Sequence, residues 1–212
     1  QENYENIKYK DGDSKKFIIQ CRNNDRLLLF SSLGKFYTIN CAKINTGRGF
    51  GDPLSLMIDK SDNEEVIFAN FYDSTKKYLI TSSSGKGFFV SAEDLMASTK
   101  SGKKVMNLKD NDRAVSCSEK NGNSIAIFSG EKKSIKLLII DHSDIPQMQK
   151  GRGVTLQKFK NGKTFKSICL NLDEGIIDKS NKTLLKSKEL KKWLGKRAQA
   201  GKIEPKNLHL KI

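Results

Sequence analysis

Apolar residues in this chain arrive in short runs, many of them alternating with polar ones, and clusters of Ser, Gly, Asp and Asn separate the runs. Stretches such as "RLLLF", "KFYTI", "KYLIT", "GKGFFV" and "SIAIF" have the length of strands and carry β-branched and aromatic residues. Turn signals punctuate them every several residues. This rhythm predicts an all-β protein. Helix is expected to be scarce: residues 190–194 predict one turn, with Trp193 packing rather than binding.

The strands recur as a unit. Residues 25–63, "DRLLLFSSLGKFYTINCAKINTGRGFGDPLSLMIDKSDN", read as strand, tight Ser/Gly turn, strand, polar loop, Gly-basic cluster, strand and turn. The same order returns in residues 76–112 and 123–162, and more faintly in residues 174–203. Ser-x-Gly-Lys turns end in Lys35 and Lys86, with Gly130-Glu131-Lys132-Lys133 at the matching place in the third copy. The clusters begin at Gly47, Gly102, Gly151 and Gly195, a spacing of roughly 44 to 55 residues that matches a blade repeat. A unit of about four strands cannot bury its own apolar face and must stack on its neighbours around an axis. Residues 3–21 read as the tail of an incomplete unit. The expected architecture is therefore a single domain over residues 1–212 with about five propeller-like blades, the first cut short and the ring open or broken. Cys21, Ala69, Cys117 and Cys169 fall at about the same place in the strand after each cluster, which reads as packing by a small apolar residue.

Charge narrows the function. The formal net charge is +15, a balance that points to a polyanion, most often nucleic acid. No stretch is apolar enough to span a bilayer, and no long amphipathic helix is available to lie on one, so no membrane partner is expected. The chain begins at Gln1 without a methionine or signal-like segment, and reads as part of a larger cytosolic protein. The four cysteines show no C-x-x-C spacing and only His142 and His209 could join them, so neither zinc nor another metal is expected. Reduced, buried cysteines are the expectation. Asp59, Asp62, Glu64 and Glu65 read as solvated loop charge. There is no phosphate-binding G-x-x-x-x-G-K-[ST] loop and no Ser/His/Asp or Cys/His set, so no catalytic residue and no cofactor is assigned.

The Gly-basic clusters carry the candidate chemistry. Glycine permits positive φ and close approach of a ligand to the main chain, and arginine offers a planar fork matched to two phosphate oxygens. Loops of this kind on successive blades would meet several phosphates along a curved path. The candidates are Arg48; Lys100, Lys103 and Lys104; Lys150, Arg152 and Lys158; and Lys196 and Arg197, with Lys35 and Lys86 at hairpin turns as secondary ones. Base-reading helices and zinc fingers are absent from the pattern, and the aromatic residues sit mainly in strands, where they read as core. A propeller acting as a protein scaffold and a propeller enzyme are the rival classes. The first would want neutral or acidic clusters, and the second a recurring axial set of His, Asp or Glu.

The segments "GDPLSLMI", "DIPQMQKGRGVTLQ" and "WLGKRAQAGKIEPK", in the order in which they occur, resemble the C-terminal domain of the A subunit of bacterial DNA topoisomerase IV. The chain is similar, more distantly, to the corresponding domain of DNA gyrase. The resemblance implies a β-pinwheel, whose blades exchange strands with their neighbours, and binding of bent duplex DNA around the outer rim with little regard to sequence. It implies partnership with the B subunit, and with the rest of the A subunit, in the bacterial cytoplasm at the nucleoid. The parent would be an ATP- and Mg-dependent type II topoisomerase, with the active-site tyrosine and the ATP site elsewhere, so the fragment itself is expected to be non-catalytic. "NTGRGFGD" and "QKGRGVT" keep only fragments of the glycine-rich box that gyrase uses to wrap DNA. That departure favours the topoisomerase IV type, which presents DNA segments for decatenation and relaxation, over gyrase-type wrapping.

Overall fold

The computed structural model describes residues 9, 11–12, 14–45, 51–131, 134–160, 162–178, 182–205 and 208–212. The strand-length runs pair as hairpins, and each hairpin seeds a sheet. The first sheet holds β1 (Arg26–Ser31), β2 (Lys35–Asn40), β3 (Val66–Phe71) and β6 (Lys103–Lys104), in the order β3-β1-β2-β6. The second holds β4 (Lys77–Ser82), β5 (Lys86–Ser91), β7 (Ala114–Glu119) and β10 (Val154–Thr155), in the order β7-β4-β5-β10. The third holds β8 (Ser124–Glu131), β9 (Ser134–Asp141), β11 (Lys163–Leu170) and β14 (Lys202–Ile203), in the order β11-β8-β9-β14. A two-stranded sheet, β12 (Ile176–Ile177) with β13 (Thr183–Leu185), makes the last unit.

Every four-stranded sheet is thus completed by a short strand from the following unit: β6, β10 and β14 each cross back to the hairpin before them. Among the described residues there are three full blades and a two-stranded fourth, fewer than the five expected. The described residues before β1 form no strand. Among the described residues, helix is limited to α1 (Ser187–Leu190) and short 3-10 turns. The turn expected at residues 190–194 starts three residues earlier, and Trp193 packs on the third interface while its indole N–H donates to the Ile203 carbonyl at 2.8 Å.

The repeat is regular down to its irregularities. Each blade has a register shift at one matched place, between Phe30 and Ser31, between Thr81 and Ser82, and opposite Ser129 and Phe128, between Thr164 and Lys166. Such bulges increase twist and re-aim the strand. Matched in this way, Ala69 and Cys117 share a position, as expected, but their counterpart in the third blade is Ser167, which pairs with Ile127, and Cys169 lies two residues further on. Cys41 and Cys169 are buried, and burial pushes both thiols up to about 11. Cys21 is exposed, against the expectation of four buried cysteines, because no strand forms to bury it.

Alternation gives each strand two apolar faces, one for each neighbour. Leu28, Phe30 and Phe36 of the first blade pack with Tyr78, Ile80, Phe88 and Val90 of the second. Leu79 and Phe89, on the other face of the second, pack with Ile125, Ile127, Leu138 and Ile140 of the third. Ala126, Phe128, Leu137 and Ile139 then meet Ile176, Leu190 and Leu208. The larger of these core side chains each contribute about 1.5–3 kcal/mol by leaving water. The array is held by its interfaces, not by any one sheet.

Buried carboxylates close the first two blades. Tyr37 Oη donates to Glu64 Oε1 at 2.8 Å, and Glu64 is only 1% exposed, so this residue is not the solvated loop charge the sequence suggests. Asp112 stands at the same register in the second blade. It accepts from the hydroxyls of Ser83 and Ser84, each at 2.7 Å, and from the Ser84 amide at 2.9 Å. Burial alone would raise the Asp112 carboxyl, but these bonds and one from Ser82 outweigh it and hold the group below its ordinary value of 3.8. A lowered folded-state value means that the stabilisation is complete above the ordinary carboxylate range and is lost as pH falls through that range to the lower folded value. Thermal unfolding is therefore expected to be flat from pH 7 to about 5 and to drop below pH 4. Asp112→Asn should cost about 2 kcal/mol at pH 7 and shrink the acid-induced drop; an unaltered drop would remove Asp112 as one of its sources.

Candidate nucleic-acid interface

Of the cations singled out in the sequence, Arg48 lies outside the described residues. The others fall on or beside the donated strands. Lys103 and Lys104 are β6 itself and are exposed. Lys150 and Arg152 flank Gly151 just before β10, and Lys158 follows it; all three are exposed. Lys196 and Arg197, also exposed, precede β14. Lys100 precedes β6 and is anchored by its ammonium, which donates to the Leu56 carbonyl at 2.8 Å. Lys35 and Lys86 are half-buried at the start of the second hairpin strand, directly opposite the donated strand. Lys35 faces Lys104 across β2 and β6, and Lys86 donates to Thr155 Oγ1 at 3.2 Å. Setting two lysines opposite one another costs a few tenths of a kcal/mol and concentrates positive charge on that edge.

The clusters are bonded to one another. Val105 and Asn107, beyond β6, exchange backbone hydrogen bonds with Gly151: the Gly151 N–H donates to the Val105 carbonyl at 3.0 Å and the Asn107 N–H to the Gly151 carbonyl at 2.8 Å. Beyond β10, the Ala198 amide donates to the Leu156 carbonyl at 2.8 Å and the Lys158 amide to the Gln199 carbonyl at 3.1 Å. Arg197 adds a guanidinium bond to the Thr155 carbonyl at 3.1 Å. The second, third and fourth clusters therefore form one backbone-stitched band across three blades. Among the described residues, the ion pairs within 4.0 Å are Lys16–Glu65, Lys76–Glu119 and His209–Glu204. None of them engages a cation of the band.

Gly102 and Gly153 serve this stitching. Gly153 has φ +72°, and a Cβ there would sit 2.4 Å from the Gly87 carbonyl oxygen. Gly102 has φ +75°, and its Cβ would meet the Tyr37 ring at 2.7 Å. Each lets a donated segment turn and press against the preceding hairpin.

Sequence reasoning missed Lys136 and Lys202. Lys136 pairs with Ile203 where Lys35 pairs with Lys104 and Lys86 with Thr155. The third hairpin is longer, with eight-residue strands in place of six, so counting from its turn landed on Lys132 and Lys133, which lie outside the described residues. Lys202 pairs with Leu137 as Lys103 pairs with Phe36. Counting back from the last core strand instead of forward from the turn would have found both. Among the described residues no group of three or more His, Cys, Asp or Glu could hold a metal ion, and no helix is long and apolar enough to cross a membrane.

Strand-donating blades carrying a basic band define a class, and the chain belongs to it: it is a member of the DNA gyrase C-terminal domain, beta-propeller family, whose model matches residues 25–70, 76–118 and 136–162. Its similarity to the topoisomerase IV branch is equally plain. The A subunit of DNA topoisomerase 4 from Rickettsia felis is 39% identical over 203 residues, covering 96% of this chain and 27% of that protein. The Caulobacter vibrioides counterpart is 34% identical over 202 residues, covering 94% and 26%. The chain spans about a quarter of the length of these relatives. Among solved structures, the E. coli ParC C-terminal domain superposes with a TM-score of 0.80 at 22% identity, covering 96% of this chain and 85% of that one. A DNA gyrase A C-terminal domain gives 0.58 at 21% identity, covering 88% and 63%. The all-β pinwheel expected from the sequence is the fold observed.

Proposed function

We propose that this domain is a non-catalytic duplex-DNA-binding and bending module of a topoisomerase IV A subunit. It holds a DNA segment for the strand-passage core, which lies in the B subunit, and in the remainder of the A subunit. The observation that carries the reading is the stitched band of exposed cations, none of which has a carboxylate partner among the described residues. Cations that no carboxylate neutralises are free to replace the counterions of a polyanion. They are spaced over several blades, so contacts fall on phosphates along a curved path, and sequence preference is weak. Bending a site of twenty to thirty base pairs costs about 1–6 kcal/mol, which only several clusters acting together offset. ATP and Mg would serve the parent enzyme at sites outside this domain.

The test is binding of linear duplexes of increasing length, end-labelled for energy transfer, at low and near-physiological salt. Affinity is expected to fall about 10³- to 10⁵-fold between 50 and 200 mM salt if six to ten phosphates are contacted, with the ends drawn together as length grows. Binding without end approach would leave a DNA tether that does not bend its partner. Absence of binding at low salt would remove the DNA reading and favour a protein scaffold.

A further inference from the structure

The segment that leads into β1 carries a cysteine, and the fold sets a second one beside it. The ladder of β1 with β2 ends at Arg26 and Asn40. One residue beyond, the Cys41 amide still donates to the Asp25 carbonyl at 3.0 Å. Asp25 is itself the last residue of a tight turn: its amide donates to the Arg22 carbonyl at 3.0 Å, and its Oδ2 accepts from the Arg22 amide at 2.7 Å. The turn folds the chain back, so Cys21, the residue before it, comes alongside Cys41. The two side chains meet there. After burial, a hydrogen bond with the Cys21 thiol is the largest of the causes that push the Cys41 thiol up to about 11.

The members of the pair differ in access. Of the four cysteines Cys21 alone is exposed. It lines a cleft of about 660 Å³ together with Arg22, Asp25 and Tyr72, a volume within the span of ordinary small-molecule sites. Cys41 is only 4% exposed. Cys117 and Cys169 pack into the interfaces between blades. An accessible thiol poised next to a second one that can resolve it is the arrangement that oxidation selects. We infer that Cys21 and Cys41 form a reversible thiol–disulfide pair, in which Cys21 meets a small disulfide oxidant such as glutathione disulfide and Cys41 resolves the product. The Cys21 sulfur attacks one sulfur of the oxidant, whose S–S bond breaks and releases one thiol, which carries off the Cys21 proton. The Cys41 sulfur then attacks the Cys21 sulfur, gives up its own proton and expels the second thiol. Two cysteine thiols are oxidised, and one disulfide is reduced to two thiols. The raised Cys41 value slows the second attack at neutral pH, and the contact with Cys21 offsets that by proximity. The new bond would close residues 21–41 into a loop around the first hairpin. It would fasten to the first blade a stretch that forms no strand. The ion pair of that stretch, Lys16–Glu65 at 3.9 Å with both side chains more than half exposed, contributes little.

The experiment is equilibration of the intact domain in glutathione buffers of increasing oxidation, followed by alkylation of the remaining thiols and peptide mapping by mass. Cys21 and Cys41 are expected to lose alkylation together and to appear as one linked pair of peptides lighter by two hydrogens, while Cys117 and Cys169 still alkylate once the chain is unfolded. Cys41→Ser should leave glutathione attached to Cys21, and Cys21→Ser should leave Cys41 reduced. Melting temperatures of the reduced variants separate lost chemistry from lost folding. Repeating the equilibration in denaturant should lower the constant for the 21–41 bond at least tenfold, because a bond that stabilises the fold is by linkage favoured by it. Glutathione held on Cys21 of the unsubstituted domain with Cys41 still free, or oxidation of neither thiol, would overturn the pair. An unchanged constant in denaturant would also overturn it, since nearness in sequence and not the fold would then join the two residues. None of these outcomes bears on DNA binding, so the pair stands or falls apart from that reading.

Discussion

Gly153→Ala is expected to destabilise the domain by about 2–5 kcal/mol, the sum of a left-handed backbone penalty and forced overpacking. The added methyl would lie 2.4 Å from the Gly87 carbonyl oxygen and 2.8 Å from Phe88 Cδ1, at φ +72°. The oxygen belongs to backbone and cannot swing aside as a flexible side chain would. Relief requires β10 to lift from β5, which breaks the pairing of Val154 with Gly87 and loosens the packing of Leu156 on the second interface. A loss of this size corresponds to roughly 5–15 °C in melting temperature for a domain of this length. Gly51→Ala is the control: φ is +78° there as well, but nothing among the described residues lies within 4 Å of the added Cβ. It should show only the backbone penalty of about 1–2 kcal/mol. Equal losses in the two variants would mean that the approach of β10 to β5 is not tight.

Removing the band's charge should produce the second large effect. The quadruple variant Lys103→Ala, Lys104→Ala, Lys150→Ala, Arg152→Ala takes four exposed cations from two stitched clusters without touching a core side chain. If each meets one phosphate, the slope of log affinity against log salt falls by about four, and affinity at 0.1 M salt falls roughly a thousandfold. A matched variant at exposed lysines elsewhere, Lys188, Lys191, Lys192 and Lys211, removes the same formal charge and should change both quantities far less. Parallel losses would show that overall charge, and not this surface, attracts DNA. An unchanged melting temperature is expected for both variants, since exposed single charges contribute little to stability.

Much of this was readable from residue order. Alternation located the three long hairpins, and the cluster spacing located the repeat, because both reflect local geometry that a sequence records directly. The donated strands were harder. Two-residue elements such as Val154–Thr155 have no periodicity to detect, and they pair with a hairpin that lies far back in the chain. Only the family resemblance suggested the exchange. The burial of Glu64 was hidden for a related reason: its partner Tyr37 comes from a distant strand, so the local string "SDNEE" reads as a polar loop. Lys136 was displaced from its expected place by a longer hairpin. The glycines were recognised as special, but at Gly102 and Gly153 what they admit is the chain's own packing.

Strand donation also orders the assembly of the molecule in time. A hairpin such as β4–β5 can form as soon as it leaves the ribosome, yet its outer strand β10 is made only after all of β6 to β9. Each blade remains an open-edged template until most of the next unit has been synthesised, and each new unit finishes its predecessor before it is itself finished. A chain stopped between β9 and β10 would therefore leave two blades incomplete, the second without β10 and the third without β11 and β14. Until β10 is made, the outer edge of β5, six residues long, stands open to pairing with a stray strand.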